Sequence, residues 1–429
     1  PSRSQLLAMQ KKMASFRVVV LHKDEKLAYW KNRLLIAEKL RDIKEIKTAS
    51  TGLLSLKDVS EKEQNWAKSL KVFAHEMLFE FKTAYDLAKK TEFPKLRRQQ
   101  KTLKLAVLAD LAGRSSDANS YYREFIKKSR SYRQSNRIRA QLIAKSKAPW
   151  KLINDEIYKL AKTPDILAKV ALESFGRFTN YTQAEKVLKF RAVTKYPEGK
   201  TLRRFVFLKD YWQFDKRIRA HRISQRSNSR LQRDLKKRIA LLAESESWAS
   251  QATKSADWTL QLITLNRLQK EKKRFYNHLM TLRPPRGLTT AQRAEYKALL
   301  AQQAKPYLDS SNAIEQKVAE FWTNRAALSS LEQDYQKANN AVRSLVRDEL
   351  VALRVRAPGS AKSRINSILQ NRPRDPRLQE IRQAYSQVKA QPFALSPLNK
   401  LIALEERRDR NPTLVAYLEQ RKSDLREVK

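Results

Sequence analysis

The 429 residues of this chain contain only six glycines. Tight hairpin turns, left-handed bends and loops that wrap a phosphate all draw on glycine, which reaches positive φ without steric cost. A chain this poor in glycine has little left for a phosphate cradle. No segment sustains a period of two with β-branched enrichment. Apolar residues recur at helical spacing instead. Trp66, Leu70, Phe73, Met77, Phe81, Ala84 and Ala88 fall three or four residues apart, one stripe on an amphipathic helix. Ser60 with Glu63 forms the S-x-x-E pattern that satisfies backbone N–H groups at a helix start, and Pro94 marks the expected end of that helix.

Residues 3–51 contain neither Gly nor Pro, and Leu27, Trp30, Leu34, Ala37 and Leu40 again keep helical spacing. They predict one long helix, or two with a short break, ending near Gly52. From Pro94 to Pro412, Pro and Gly punctuate the chain at intervals that suit a helix or helical hairpin. The gap from Gly199 to Pro284 predicts longer helices. The expected fold is all-α, built of antiparallel helices. The expected divisions are an N-terminal long helix or helical cap over 1–55, helical repeats over 56–200, a basic long-helix region over 201–283 and C-terminal helical repeats and tail over 284–429.

Charge comes next. Ninety Lys and Arg stand against forty-four Asp and Glu, a formal net charge of +46. Such an excess calls for an anionic partner or a very extended surface. Disorder is not expected, because 41% of residues are hydrophobic and fifteen Tyr, fifteen Phe and seven Trp need packing. The absence of cysteine excludes disulfides, thiolate nucleophiles and cysteine-based zinc sites. His22, His75, His221 and His278 are far apart, and none belongs to an H-x-x-x-H or H-E-x-x-H pattern. No P-loop, G-x-G-x-x-G or G-x-S-x-G occurs. The chain is therefore expected to be non-catalytic, with no cofactor and no metal. No apolar run approaches the roughly 18–20 residues that span a bilayer.

A repeat signal lies within this pattern. Leu105 to Ala118, followed by Tyr121, Tyr122 and Phe125, aligns with Ala168 to Ala184, which contains Ala171, Leu172, Phe175 and Tyr181 and is followed by Leu188. Pro164 and Pro197 stand one repeat length apart. This resembles the tetratricopeptide repeat, with Ala106 and Ala118 at the small positions, Gly113 at the turn, Tyr122 as the following aromatic and the prolines closing units. The helix-A Trp of that family is absent. The resemblance implies an α-solenoid of antiparallel helical hairpins, here with long helices; a generic helical bundle is the alternative. A second segment runs from Phe275-Tyr276 through Leu282-Arg283-Pro284-Pro285-Arg286-Gly287-Leu288-Thr289 to Tyr296, Leu299, Leu300, Ala304, Pro306 and Tyr307. It is similar to a segment of bacterial envelope proteins with tetratricopeptide repeats, some linked to gliding motility. That implies an envelope-associated scaffold, set in the bacterial periplasm or cell envelope after signal-peptide removal, with the cytoplasm as the alternative. On its own residues, Pro284-Pro285 breaks a helix, Thr289 with Gln292 caps the next, and Tyr296, Leu299, Leu300 and Ala304 are expected to face a core.

The charge is concentrated over 201–240, where thirteen Lys and Arg meet only Asp210, Asp215 and Asp234. On one helix, Arg219, Arg222, Arg226, Arg230 and Arg233 would line a single basic face. With Arg203, Arg204, Lys236, Lys237 and Arg238 they are the candidate residues for binding an anionic partner. The aromatics just before them, Phe205, Phe207, Tyr211, Trp212 and Phe214, are expected in the core. A solvated face is the alternative to a docking ridge. The expected function is a scaffold for protein–protein interactions, with acidic subunits of a larger assembly as partners. Nucleic-acid binding through residues 203–238 is the alternative, and an anionic envelope surface a further candidate partner.

Overall fold

A computed structural model describes residues 1–16, 18, 21–93, 96–285, 287–323, 325–337, 340–371, 376–408 and 411–427. Pro94, Arg286 and Pro373 lie outside them. The described residues form twenty-one α-helices and no strand, so the fold is all-α. No described helix is long and apolar enough to cross a membrane. The helices group into two compact units. The first joins Pro1–Ser146 to Asp375–Lys429, and the second is Lys147–Arg374. None of the divisions at 55, 200 and 283 coincides with a boundary between these units.

In the first unit, three helices occupy the stretch read as one or two: α1 (Arg3–Ala14), α2 (Lys23–Leu40) and α3 (Ile43–Leu54). Arg41 ends α2 in a left-handed conformation (φ 56°), and the Asp42 carboxylate starts α3 by accepting from the Glu45 N–H at 3.1 Å. Next come α4 (Glu61–Met77) and α5 (Phe81–Ala88). The Ser60–Glu63 box forms as read: Ser60 Oγ accepts from the Glu63 N–H at 3.4 Å, and the Glu63 carboxylate accepts from the Ser60 N–H at 3.2 Å. The apolar stripe continues into α5, but not on one helix. Phe79 turns left-handed (φ 59°), and its ring packs edge-on against Phe81 (5.8 Å) and Tyr385 (4.9 Å).

After α6 (Arg98–Leu111) and α7 (Ser115–Lys128) comes α8 (Tyr132–Lys145). Gly113 takes φ 76° in the α6–α7 turn, where a Cβ would be strained. Ala106, Ala118 and Tyr122 are buried at the crossing. The chain returns to this unit as α19 (Leu378–Ala390), α20 (Leu395–Arg408) and α21 (Pro412–Glu427). Thr413 Oγ1 donates to the Asp110 carboxylate at 2.6 Å, Tyr417 Oη donates to the Glu76 carbonyl at 3.3 Å, and Tyr417 packs edge-on against Phe81. The two ends of the chain thus share one core.

The second unit holds α9 (Pro149–Leu160), α10 (Pro164–Arg177), α11 (Tyr181–Leu188), a 3-10 turn (Val193–Lys195) and α12 (Pro197–Ala220). It continues with α13 (Asn228–Lys254), α14 (Trp258–Met280), α15 (Thr290–Thr323), α16 (Arg325–Lys337), α17 (Asn340–Arg354) and α18 (Gly359–Gln370). Pro149, Pro164 and Pro197 open helices, where the missing N–H has no intrahelical partner to lose. As the Gly199–Pro284 gap implies, α12, α13 and α14 are long, at 24, 27 and 23 residues. Phe205, Tyr211 and Phe214 are buried on α12, with Phe207 and Trp212 half-buried, and Trp248 of α13 packs among Phe207, Tyr211 and Phe214. Trp258 meets Trp322 at 5.8 Å and Phe275 meets Tyr307 at 4.7 Å, so α14 and α15 run antiparallel.

Thr289 and Gln292 cap α15 reciprocally, at 3.0 and 3.3 Å. Pro306 lies inside that helix. Ala304 is buried and Tyr296 and Leu300 are half-buried, but Leu299 is 53% exposed, because the first turns of α15 are mostly open to solvent.

Candidate anionic-partner interface

The α12 helix buries Leu202, Phe205, Leu208, Tyr211, Phe214 and Ile218 along one side. It ends at Ala220, and His221–Ser227 are not helical. No Gly or Pro marks this break. Its cause is a polar run, Ser224 to Ser229, whose side chains bond nearby backbone: Ser227 Oγ accepts from the Arg230 N–H at 3.3 Å and so starts α13. Arg219, Arg222, Arg226, Arg230 and Arg233 therefore do not share one helical face. Arg219 closes α12, Arg222 and Arg226 sit in the turn, and Arg230 and Arg233 lie in the first turns of α13.

Two candidates are not at the surface. Arg204 is buried, its Nε donating to both Glu349 carboxylate oxygens (2.9 and 3.0 Å) and its Nη1 to Asp257 at 3.3 Å. Arg238 is 0% exposed and donates to Glu271 at 2.9 Å. Both are internal ion pairs, which charge counting along the sequence cannot separate from surface cations. Arg203 donates to the Ser255 carbonyl at 2.7 Å, and sixteen helical residues, roughly 24 Å, separate it from Arg219.

The remaining residues meet at a corner formed by the end of α12, the turn, the start of α13 and the end of α14. A helix C-terminus leaves carbonyls unsatisfied and carries partial negative charge. Three arginines meet it. Arg238 donates to the carbonyls of Ile218 (3.1 Å) and His221 (3.3 Å), Arg274 to those of Arg219 (3.2 Å) and His221 (3.3 Å), and Arg222 to that of Arg219 (3.0 Å). Gln225 ties the turn to α14: its amide donates to the Thr281 carbonyl, and its Oε1 accepts from the Arg283 N–H at 3.3 Å.

The acids at this corner are already engaged. Asp234 accepts from the Ser224 N–H at 3.0 Å, Glu271 faces Arg238, Arg267 and Arg274, and Asp215 pairs with Arg267 and Arg219. Arg222, Arg226, Arg230, Lys236 and Lys237, with Lys273 and Arg283, are exposed and have no acidic partner among the described residues. Arg233 has only Asp234, at 4.0 Å.

His221 and His278 sit half-buried beneath them. Burial, followed by Arg238, lowers the proton affinity of His221; burial, followed by Arg274, lowers that of His278. Both nitrogens of His221 and Nδ1 of His278 have no hydrogen-bond partner. The α14 contribution escaped the sequence reading, although Lys270 to Arg274 carries four cations around Glu271. The arrangement is a cluster of exposed cations on backbone held by the arginine caps and Gln225. No protein-family model matches the chain, and neither the curated proteins nor the solved structures contain a match.

Proposed function

We propose that the protein is a non-catalytic helical scaffold in a multiprotein assembly, and that the basic corner of the second unit docks an acidic subunit. The observation that carries this reading is the set of seven exposed cations without acidic partners on three segments fixed to one another by arginine caps and Gln225. Preorganised charge of this kind gives on-rate and register to a partner of opposite sign.

Two hairpins support the further reading as tetratricopeptide-like units stacked into a solenoid. In α6–α7, Ala106 and Ala118 are buried beside Tyr122; in α10–α11, Ala168, Ala171 and Ala184 are buried beside Phe175, which packs on Tyr181 at 5.2 Å. Small residues at crossings let paired helices approach closely. The bacterial envelope is the proposed setting, on the resemblance around Pro284 to Tyr307.

Titration with polyglutamate at low salt tests the docking surface. Wild-type protein is expected to bind, and the R226E/R230E/K236E variant to lose that binding. Wild-type affinity in the triple variant rejects the corner as the dock.

A further inference from the structure

We propose that Tyr158 and Phe190, with the cations around them, form a stacking site for single-stranded nucleic acid, apart from the basic corner and independent of its reading. The α9 helix turns Trp150, Ile153 and Leu160 inward. Tyr158 is 80% exposed, more than any other large apolar side chain among the described residues. An aromatic ring left in water forgoes most of the burial that usually fixes its place. Its ring neighbour is Phe190, 6.0 Å away at 78°.

Phe190 sits just after α11, between Lys189 and Arg191. The segment 186–195 carries Lys186, Lys189, Arg191 and Lys195 and no acid. All four are exposed and have no acidic partner among the described residues. Of the acids on the flanking helices, Glu156 is held by Lys159 at 2.9 Å, while Asp155 and Glu185 are exposed.

The Phe190 turn is locked by its own backbone. The Phe190 N–H donates to the Val187 carbonyl at 3.1 Å, and the Val193 N–H donates to the Phe190 carbonyl at 2.8 Å. Val193 is fully buried beneath it. The backbone that carries Phe190 is thus fixed before any ligand arrives, which lowers the ordering cost of binding.

An exposed ring next to a segment of unpaired cations matches a nucleobase with its neighbouring phosphates, and stacking tolerates any base. A duplex keeps its bases stacked internally, and an acidic peptide or lipid headgroup needs the cations but not the ring. The basic corner differs: residues 216–247 contain no Phe, Tyr or Trp, and on the end of α14 Phe275 is buried and Tyr276 half-buried.

The test uses the full chain carrying R226E/R230E/K236E, so that the corner does not contribute. Anisotropy is read with a labelled oligothymidylate of about twelve nucleotides at low salt. Tyr158→Ala is expected to weaken binding by about 5- to 100-fold, and Tyr158→Trp to keep it. An abasic oligonucleotide with the same phosphates is expected to bind the Tyr158-containing protein as weakly as the normal oligonucleotide binds the Ala variant. Circular dichroism melting checks that the Ala variant stays folded; a variant that melts early is replaced by Lys189→Ala/Arg191→Ala, for which weakened binding of the normal oligonucleotide is expected. Equal binding by the Tyr and Ala proteins, equal binding of the abasic strand, or binding only to phosphatidylglycerol vesicles or polyglutamate would overturn the proposal.

Discussion

Arg204 and Arg238 show what a cation does when the fold takes it inside. Each is held by a carboxylate far along the chain, Glu349 at a separation of 145 residues and Glu271 at 33. Burying a charge is tolerated when geometry and hydrogen bonds offset desolvation, and removing one partner strands the other. Arg204→Met is therefore expected to cost about 3–5 kcal/mol in urea unfolding. The R204M/E349L double variant should recover most of that loss. The histidines give a second prediction at this scale. Folding lowers the proton affinity of His221 and His278, so the unfolded chain binds more protons once pH falls to about 6.5. The stability owed to their neutral form is complete above that pH and is lost as pH falls toward their folded values. Burial raises Glu349 to about 7 against the pull of Arg204, and that acts in the opposite sense over the same range. The comparison that isolates the imidazoles is with H221Q/H278Q: on acidification below about pH 6.5, wild type should lose stability relative to the double variant. Parallel pH–stability curves would contradict this.

Helix starts were the most legible elements. The Ser60–Glu63 and Thr289–Gln292 boxes form as spacing implies, whereas Pro164 and Pro197, read as closing units, open helices. Helix ends were less legible, because several use residues that carry no stop signal. Arg41, Phe79 and Ala256 all take positive φ, and α12 stops at Ala220 without Gly or Pro. Tertiary packing, such as Phe79 against Tyr385, selects these conformations, and no window of sequence contains it. The basic ridge failed for a local reason: its spacing was right for a helix, but the polar run from Ser224 to Ser229 interrupts that helix after Ala220. One close approach yields a prediction at this scale. A Cβ on Gly199 would collide with the Val193 carbonyl oxygen and come within 2.7 Å of its carbon, where α12 begins against the 3-10 turn. Backbone cannot swing aside as a side chain does, so Gly199→Ala is expected to cost about 1–3 kcal/mol in thermal or urea unfolding. An unchanged melting temperature would show that this junction yields.

For the molecule as a whole, the all-α fold was legible from helical periodicity and the absence of any sustained period of two. The division into units was not. Asp110 and Thr413 share a hydrogen bond across 303 residues, and a pairing of chain ends leaves no periodic trace. Of the ninety Lys and Arg, some are held in internal ion pairs, as Arg204 and Arg238 are, and others are exposed without an acidic partner; only the second kind is available to a partner. At one corner of the second unit those cations stand on fixed backbone with the local acids already used. The affinity for polyglutamate across a salt series, wild type against R226E/R230E/K236E, tests this most directly. The account predicts binding that weakens steeply as salt screens the charges and is absent in the triple variant. Binding of equal strength in both proteins at every salt concentration would contradict it.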